Sequence, residues 1–124
     1  MLVGAATIFA VRDLAASVAH YRDVLGFTVT FQYGKPPFYA CLCRDEVAIH
    51  LRAGTGWTPG NGEIAVFVKD VDALHEELIA RGAKGLKPPQ NYAYGMRDFD
   101  VADPDGSQLT FGMETQSAVA VASN

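Results

Sequence analysis

The sequence has little of what marks nucleic-acid-binding, membrane or exported proteins. Lysine and arginine number 10 against 14 aspartates and glutamates, and the basic residues form no cluster. Because a nucleic-acid surface needs clustered positive charge, that class is excluded. The N-terminal MLVGAATIFAV is too short to span a bilayer and lacks the basic region of an export signal. The sequence therefore predicts a soluble, cytoplasmic protein without nucleic-acid or membrane partners.

Cysteine is also scarce, with only Cys41 and Cys43 in the run ACLCRD. On a strand this spacing places both thiols on one face. It is neither the redox CxxC spacing nor half of a zinc site, which would need two further ligands nearby. We expect two small buried residues with free thiols.

The 124 residues suffice for one domain with two amphipathic helices. DLAASVAHYRDVLG has an apolar stripe, with Asp13 as N-cap; the stripe residues are Leu14, Val18, Tyr21 and Leu25. DVDALHEELIARG has a second stripe, with Asp70 as N-cap and Gly82 at the end; its residues are Val71, Leu74, Leu78 and Ile79. His20 and His75 are expected to be partly exposed helix residues.

The two helices belong to an internal repeat. Val11-Arg12-Asp13-Leu14 aligns with Val68-Lys69-Asp70-Val71, and extended runs follow each helix. In the second half these are a weak run near 83–88 and two strands close to the C-terminus. The predicted organisation is a single domain, 1–124: a βαβββ module at 5–52, a Gly-rich joint at 53–62, a second βαβββ module at 63–113 and a frayed tail at 114–124.

The segment YGMRDFDVADPDGSQLTFG predicts a hairpin that turns at Asp103-Pro104-Asp105-Gly106. A symmetric turn would bury Asp98 and Asp100 beneath the helix, which is unfavourable for unpaired carboxylates. A register shifted by one residue, with a bulge at Gly106, instead buries Phe99, Val101, Leu109 and Phe111. We predict the shifted register. Arg97 is expected to pair with a helix-capping carboxylate such as Asp13 or Asp70.

The sheet faces turned away from the helices collect polar, acidic and apolar side chains, which predicts a half-apolar cleft. Its candidate residues are His50, Glu63, Phe67, Met96, Asp98, Asp100 and Thr110. Loop aromatics are expected to rim it: Tyr33, Phe38, Tyr39, Trp57, Tyr92 and Tyr94. Segment 84–95 is either a loop over the cleft or a surface loop anchored by its tyrosines. His50 either contacts ligand or bonds a carboxylate such as Glu63, with Cys41 or Ala40 as its cross-strand neighbour.

The runs VRDLAASVAHYRDVLGFTV and YGMRDFDVADPDGSQLTFG resemble the opening and closing segments of the vicinal oxygen chelate superfamily, in its glyoxalase/bleomycin-resistance/dioxygenase group. The resemblance covers residue 5 to about residue 113. It implies an α+β fold, with two tandem βαβββ modules forming curled mixed sheets around a cleft, and a homodimer.

In metal-dependent members of that family, the ligand positions fall on Ala6, His50, Glu63 and Thr110 of this sequence. Only His50 and Glu63 are suitable ligands, whereas a divalent catalytic site usually has three or more. Asp98 is a conceivable third ligand that no family pattern supports. The loss of suitable ligands at two of the four positions is typical of the bleomycin-resistance branch, whose proteins hold a bulky cationic antibiotic without a metal.

We therefore expect a homodimeric, non-enzymatic, metal-free protein that sequesters a cationic or aromatic small molecule in an acidic cleft. The alternative is a lyase, isomerase or dioxygenase of the same superfamily, with zinc, nickel, iron or manganese bound by His50 and Glu63. A third possibility is an interaction domain with a vestigial cleft.

Overall fold

A computed structural model describes residues 1–115, which form two helices and eight strands. In the first half the elements are β1 (Thr7–Ala10), α1 (Leu14–Ala19) with a π-helical continuation (His20–Val24), β2 (Thr28–Gly34), β3 (Pro37–Arg44) and β4 (Val47–Arg52). In the second half they are β5 (Glu63–Phe67), α2 (Val71–Ala80), β6 (Gln90–Asn91), β7 (Met96–Ala102) and β8 (Gln108–Glu114). The predicted tail lies, from residue 116 onward, outside the described residues.

The strands form two sheets with the same internal order, β1-β4-β3-β2 and β5-β8-β7-β6. In the first sheet β1 runs parallel to β4, and the two other pairings are antiparallel. The α+β fold with a repeated βαβββ pattern is confirmed. The expected curling is wrong, because both sheets are open, with an edge strand on each side. The run near 83–88 is not a strand; the short strand β6 follows it instead.

Both helices begin at the predicted caps. The Asp13 carboxylate accepts a hydrogen bond from the Ala16 amide at 3.1 Å, and that of Asp70 from the Ala73 amide at 3.0 Å. Each carboxylate satisfies one of the amides that a first helical turn leaves unpaired. The π-helical continuation of α1 was not predicted. There the Leu25 amide reaches five residues back, to the His20 carbonyl at 3.2 Å.

The helical stripes are confirmed with one exception. The stripe of α1 is buried at Leu14, Val18, Tyr21 and Leu25. On α2, Val71 and Leu78 are fully buried and Leu74 is half-buried, but Ile79 is half exposed, so its assignment to the stripe was wrong. His75 lies at the inner side instead, with its ring edge-on to that of Phe99 at 5.0 Å between centroids.

The chain divides into two compact units. Among the described residues, the first unit comprises Met1–Glu63 and Ala102–Gln108, and the second comprises Ile64–Val101 and residues 109–115. The tip of the closing hairpin thus belongs to the first unit, although the repeat places its strands in the second half.

The hairpin has the predicted shifted register. The Gly106 amide donates to the Asp103 carbonyl at 3.0 Å, and the Asp103 amide donates to the Ser107 carbonyl at 2.8 Å. Gly106 has a φ of 98°, the left-handed conformation that a bulge after a type I turn requires. Burial of the predicted apolar set follows, at Phe99, Val101, Leu109 and Phe111.

Asp103 organises the hairpin tip within the first unit. It is 5% exposed, and its Oδ1 accepts hydrogen bonds from the Asp105 and Ser107 amides, each at 2.9 Å. Its Oδ2 accepts a hydrogen bond from the Tyr21 hydroxyl at 3.0 Å. Burial and then the Asp103 charge raise the pKa of Tyr21, which keeps this donor protonated.

Candidate functional site

One face of the first sheet carries its buried side chains. The opposite face, named here the first-sheet face, is covered by two rows of side chains. Residues paired across the strands place Ile8, His50, Cys41 and Phe31 in one row, and Ala10, Arg52, Tyr39 and Tyr33 in the other. Strand alternation explains the separation, because Ala40, Leu42, Ile49 and Leu51 are buried on the other side. Tyr33, Phe38 and Tyr39 lie within β2 and β3, so their assignment to loops was wrong.

His50 is fixed on this face by Tyr39. The Tyr39 hydroxyl and Nδ1 of His50 share a hydrogen bond of 2.8 Å, and the two rings meet edge-on. The hydrogen-bond partner of His50 is therefore Tyr39, and not Glu63, which was the predicted alternative. The Asp45–Glu46 turn pairs His50 with Cys41, which resolves the choice between Cys41 and Ala40.

Both cysteines lie on the first-sheet face with free thiols. Cys41 and Cys43 are half-buried, so the expectation that they belong to the buried core was wrong. The strand places them on the opposite face from Ala40 and Leu42, which are the buried residues of β3.

Arg52 and Trp57 form a stacked pair at the end of β4. The guanidinium carbon of Arg52 lies 3.4 Å from the centroid of the Trp57 ring, and Trp57 remains 50% exposed. Trp57 was predicted to rim the cleft, whereas Arg52 was not among the predicted site residues. The missed signal was its position two residues after His50, which places both side chains on one sheet face. Phe38 packs edge-on against Tyr33, with 5.5 Å between the ring centroids.

In the second unit, carboxylates lie on the face opposite Phe99 and Val101, named here the second-sheet face. Asp100 accepts a hydrogen bond from the Thr110 hydroxyl at 2.7 Å, and Asp98 accepts one from the Tyr94 hydroxyl at 2.9 Å. Met96 lies on the same face as Asp98, beside Gly112. Phe67 is 77% exposed at the end of β5.

Tyr92 and Tyr94 form a stacked aromatic pair beside these carboxylates. Their rings are nearly parallel, at 6°, with centroids 5.2 Å apart. Desolvation, followed by the hydrogen bond to Asp98, raises the pKa of Tyr94 to about 12. At neutral pH the Tyr94 hydroxyl is therefore a donor to the Asp98 carboxylate, and the predicted loop 84–95 ends in a turn anchored by this bond.

No cation neutralises the second-sheet face among the described residues. Neither Asp98 nor Asp100 forms an ion pair there. The nearby Arg97 pairs with Asp72 of α2 at 2.7 Å. An ion pair was expected for Arg97, but its partner is Asp72 and not Asp13 or Asp70.

The family's metal-ligand positions do not provide a metal site here. Ala6 has no donor atom, and the Thr110 hydroxyl donates to Asp100. Only His50 and Glu63 retain donor atoms suited to a metal, and Glu63 is exposed at the start of β5. Within residues 1–115, no group of three or more histidine, cysteine, aspartate or glutamate side chains could hold a metal ion. The donor set therefore does not fit a divalent catalytic metal.

Within residues 1–115, no helix has the length and hydrophobicity needed to span a membrane.

Comparison with known proteins gives one consistent family. The chain is 27% identical over 128 residues to a bleomycin resistance protein of Geobacillus stearothermophilus, covering 86% of this chain and 93% of the relative. A bleomycin-binding protein from bleomycin-producing Streptomyces verticillus, solved with copper(II)-bleomycin, is 26% identical with a TM-score of 0.76, covering 90% and 95% of the two chains.

The bleomycin resistance determinant encoded on transposon Tn5 shares the fold, with a TM-score of 0.79 at 19% identity over 91% of this chain and 98% of that one. The family model described as Glyoxalase/Bleomycin resistance protein/Dioxygenase superfamily matches residues 5–111. On this match, which spans most of the sequence, the chain belongs to the glyoxalase/bleomycin resistance protein/dioxygenase superfamily.

Proposed function

We propose that this protein binds and sequesters a cationic aromatic small molecule without a metal ion. The observation that carries the proposal is the pair of carboxylates, Asp98 and Asp100, that lack a cationic partner beside the Tyr92–Tyr94 stack. The bleomycin resistance protein of Geobacillus stearothermophilus and the bleomycin-binding protein of Streptomyces verticillus support it as relatives.

The second-sheet face has the chemistry that such a ligand requires. Its carboxylates accept hydrogen bonds only from hydroxyls, which leaves their negative charge available to a cation. Stacked tyrosines and the exposed Phe67 ring offer flat apolar surface for a heterocycle. Met96 and Thr110 complete the proposed contacts of this face, and Glu63 adds negative charge at the start of β5.

In the first unit we assign ligand contact to four predicted residues, of which Tyr39 and His50 lie on the first-sheet face: Phe38, Tyr39, His50 and Trp57. Their rings supply aromatic surface, and the Tyr39–His50 hydrogen bond holds two of them in place without ligand. Sequestration needs affinity and no reactive group, so a face with fixed rings is sufficient for it.

The test is calorimetric titration with metal-free bleomycin, followed by other aromatic cations, at low and high salt. Asp98→Asn/Asp100→Asn is compared with Glu46→Gln/Glu76→Gln, which removes the same charge at exposed positions outside the proposed face. We expect the aspartate variant to bind about tenfold more weakly, because the two lost carboxylate contacts together contribute about 1.4 kcal/mol. The control should change affinity less than about twofold, by the long-range charge effect alone.

Absence of micromolar binding to all of these compounds would overturn the proposal. So would equal affinities for the aspartate variant and the control, since the carboxylates would then make no specific contribution.

We also propose that the protein acts as a homodimer in the cytoplasm. An open sheet has edge strands with unpaired backbone groups, which a second copy of the chain can cover. In the first sheet these edge strands are β1 and β2. Free thiols are typical of a reducing compartment. Light scattering coupled to gel filtration at micromolar concentration should give twice the chain mass of 13.3 kDa, and a monomer mass would exclude the dimer.

A further inference from the structure

Arg52 is a half-buried cation without a carboxylate partner. Its guanidinium forms neither a hydrogen bond nor an ion pair with any of residues 1–115, and its Nε is buried without an acceptor. Other arginines of the chain have such partners: Arg12 pairs with Asp105, Arg22 with Asp23 and Arg97 with Asp72. A desolvated donor without an acceptor is unfavourable, so Arg52 is suited to an anion that arrives from outside the chain.

Trp57 holds this guanidinium in place. With the guanidinium carbon 3.4 Å from the ring centroid, the planar cation stacks on the indole face. Stacking restricts the long side chain, so less conformational entropy is lost when its N–H groups bind an anion. Of the guanidinium nitrogens only Nε is buried without a partner, so the N–H groups of Nη1 and Nη2 are the ones that can meet a carboxylate.

The neighbours of Arg52 are aromatic or small, and none of them is acidic. Across the strands it is paired with Tyr39 on one side and Ala10 on the other. His50 and Tyr33 lie on the same face, His50 in the adjacent row. Neither row of the first-sheet face contains an aspartate or glutamate that would compete for the cation.

We propose that the Arg52–Trp57 pair is an anion-recognition site, which takes the carboxylate of a flat aromatic ligand on the first-sheet face. The carboxylate accepts two N–H groups of Arg52, and the aromatic body contacts Tyr39 and Tyr33. This inference rests on the proposed function, since it assumes that the protein binds aromatic small molecules. It adds an anionic group to the chemistry of the ligands that the protein accepts.

The experiment compares 2-naphthoate with 2-naphthamide, which has nearly the same shape without the charge. Trp57 is the single tryptophan of the chain, so its indole N–H gives one resolved signal in ¹H–¹⁵N spectra of the labelled protein. Titrations of the wild type, Arg52→Gln, Arg52→Lys and the charge-matched control Arg22→Gln provide the affinities. The remaining amide signals show whether each variant is folded.

We expect naphthoate to bind the wild type at least about tenfold more tightly than naphthamide, the ratio for one charge-assisted hydrogen bond. The Trp57 signal should shift during the titration. The ratio should fall to about one in Arg52→Gln, stay at the wild-type value in Arg22→Gln and be intermediate in Arg52→Lys, which keeps the charge but not the planar fork.

Equal binding of the two compounds to the wild type would overturn the anion site while leaving aromatic binding intact. A preference for naphthoate that survives in Arg52→Gln, or binding that leaves the Trp57 signal unmoved, would also overturn it. Binding of bleomycin without either naphthalene compound would refute this inference alone. If neither naphthalene compound binds, and bleomycin and the other aromatic cations also fail to bind, the proposed function is refuted with it.

Discussion

Replacing Tyr21 by phenylalanine removes the one side-chain donor that Asp103 has within the first unit. The Tyr21 ring is fully buried and Asp103 is 5% exposed, so water cannot readily replace the hydroxyl. The 3.0 Å hydrogen bond ends on a carboxylate, and bonds to charged groups contribute about 1.5–3 kcal/mol. The ring contacts with Phe27 are kept by phenylalanine. We expect Tyr21→Phe to lower the free energy of unfolding by about 2 kcal/mol at pH 7.

The same bond predicts how this difference depends on pH. Burial and Asp103 raise the pKa of Tyr21 above that of an unfolded tyrosine, which is about 10. Above that pH the unfolded chain releases a proton that the folded chain retains, so the wild type loses about 1.4 kcal/mol per pH unit. Tyr21→Phe has no such loss at this position. The difference in unfolding free energy should therefore shrink from about 2 kcal/mol at pH 7 to under about 1 kcal/mol at pH 11.

Urea denaturation of both proteins, followed by circular dichroism at pH 7, 10 and 11, measures these differences. Tyr33→Phe is the matched control, because Tyr33 is 61% exposed and its loss should change stability by less than about 0.5 kcal/mol. The contribution of Tyr94 is common to both proteins and cancels. A difference at pH 7 below that of the control, or one that stays constant up to pH 11, would refute the reasoning.

Two further predictions concern the second unit. Leu78 is fully buried, so Leu78→Ala should lower the free energy of unfolding in urea by about 2–5 kcal/mol. Ile79 is half exposed, so Ile79→Ala should lower it by less than about 1 kcal/mol. Similar values for the two variants would contradict the assigned helix face. Arg97→Gln should lower the urea midpoint slightly at pH 7 and not at all in 1 M salt. The hydrogen bond from Arg97 lowers the pKa of Asp72. The difference in urea midpoint between the wild type and Arg97→Gln should therefore be present above about pH 4 and disappear as the pH falls below it. A difference that persists at pH 2 would exclude the ion pair as its cause.

Local chemistry explains why the sequence predicted much of the fold. The helix caps at Asp13 and Asp70 depend on residues within one turn of each other. The hairpin register followed from the turn residues together with the cost of burying Asp98 and Asp100. Both kinds of argument use neighbours in the chain, and both predictions are confirmed.

Contacts between distant residues explain what the sequence did not reveal. Tyr21 and Asp103 are 82 residues apart, so no periodic pattern links them. Trp57 lies in the Gly-rich joint and stacks on Arg52. The backbone of the joint depends on glycine conformations that the sequence pattern does not specify, so this contact could not be predicted. The prediction that Cys41 and Cys43 are buried relied on the general tendency of cysteine to lie in cores, whereas both thiols are only half-buried here.

The placement of Ala102–Gln108 in the first unit determines where the chain can be divided. A fragment that ends at the Gly-rich joint would keep the first sheet and α1 but lose Asp103 and Ser107, which accept hydrogen bonds from the Tyr21 hydroxyl and the Gly62 amide. The first unit is therefore not one continuous stretch of the chain, because it includes Ala102–Gln108 as well as Met1–Glu63. In split-protein designs or circular permutants of this chain, the hairpin tip should stay on the same polypeptide as α1. Otherwise the two fragments should be expressed together, so that both are present while they fold.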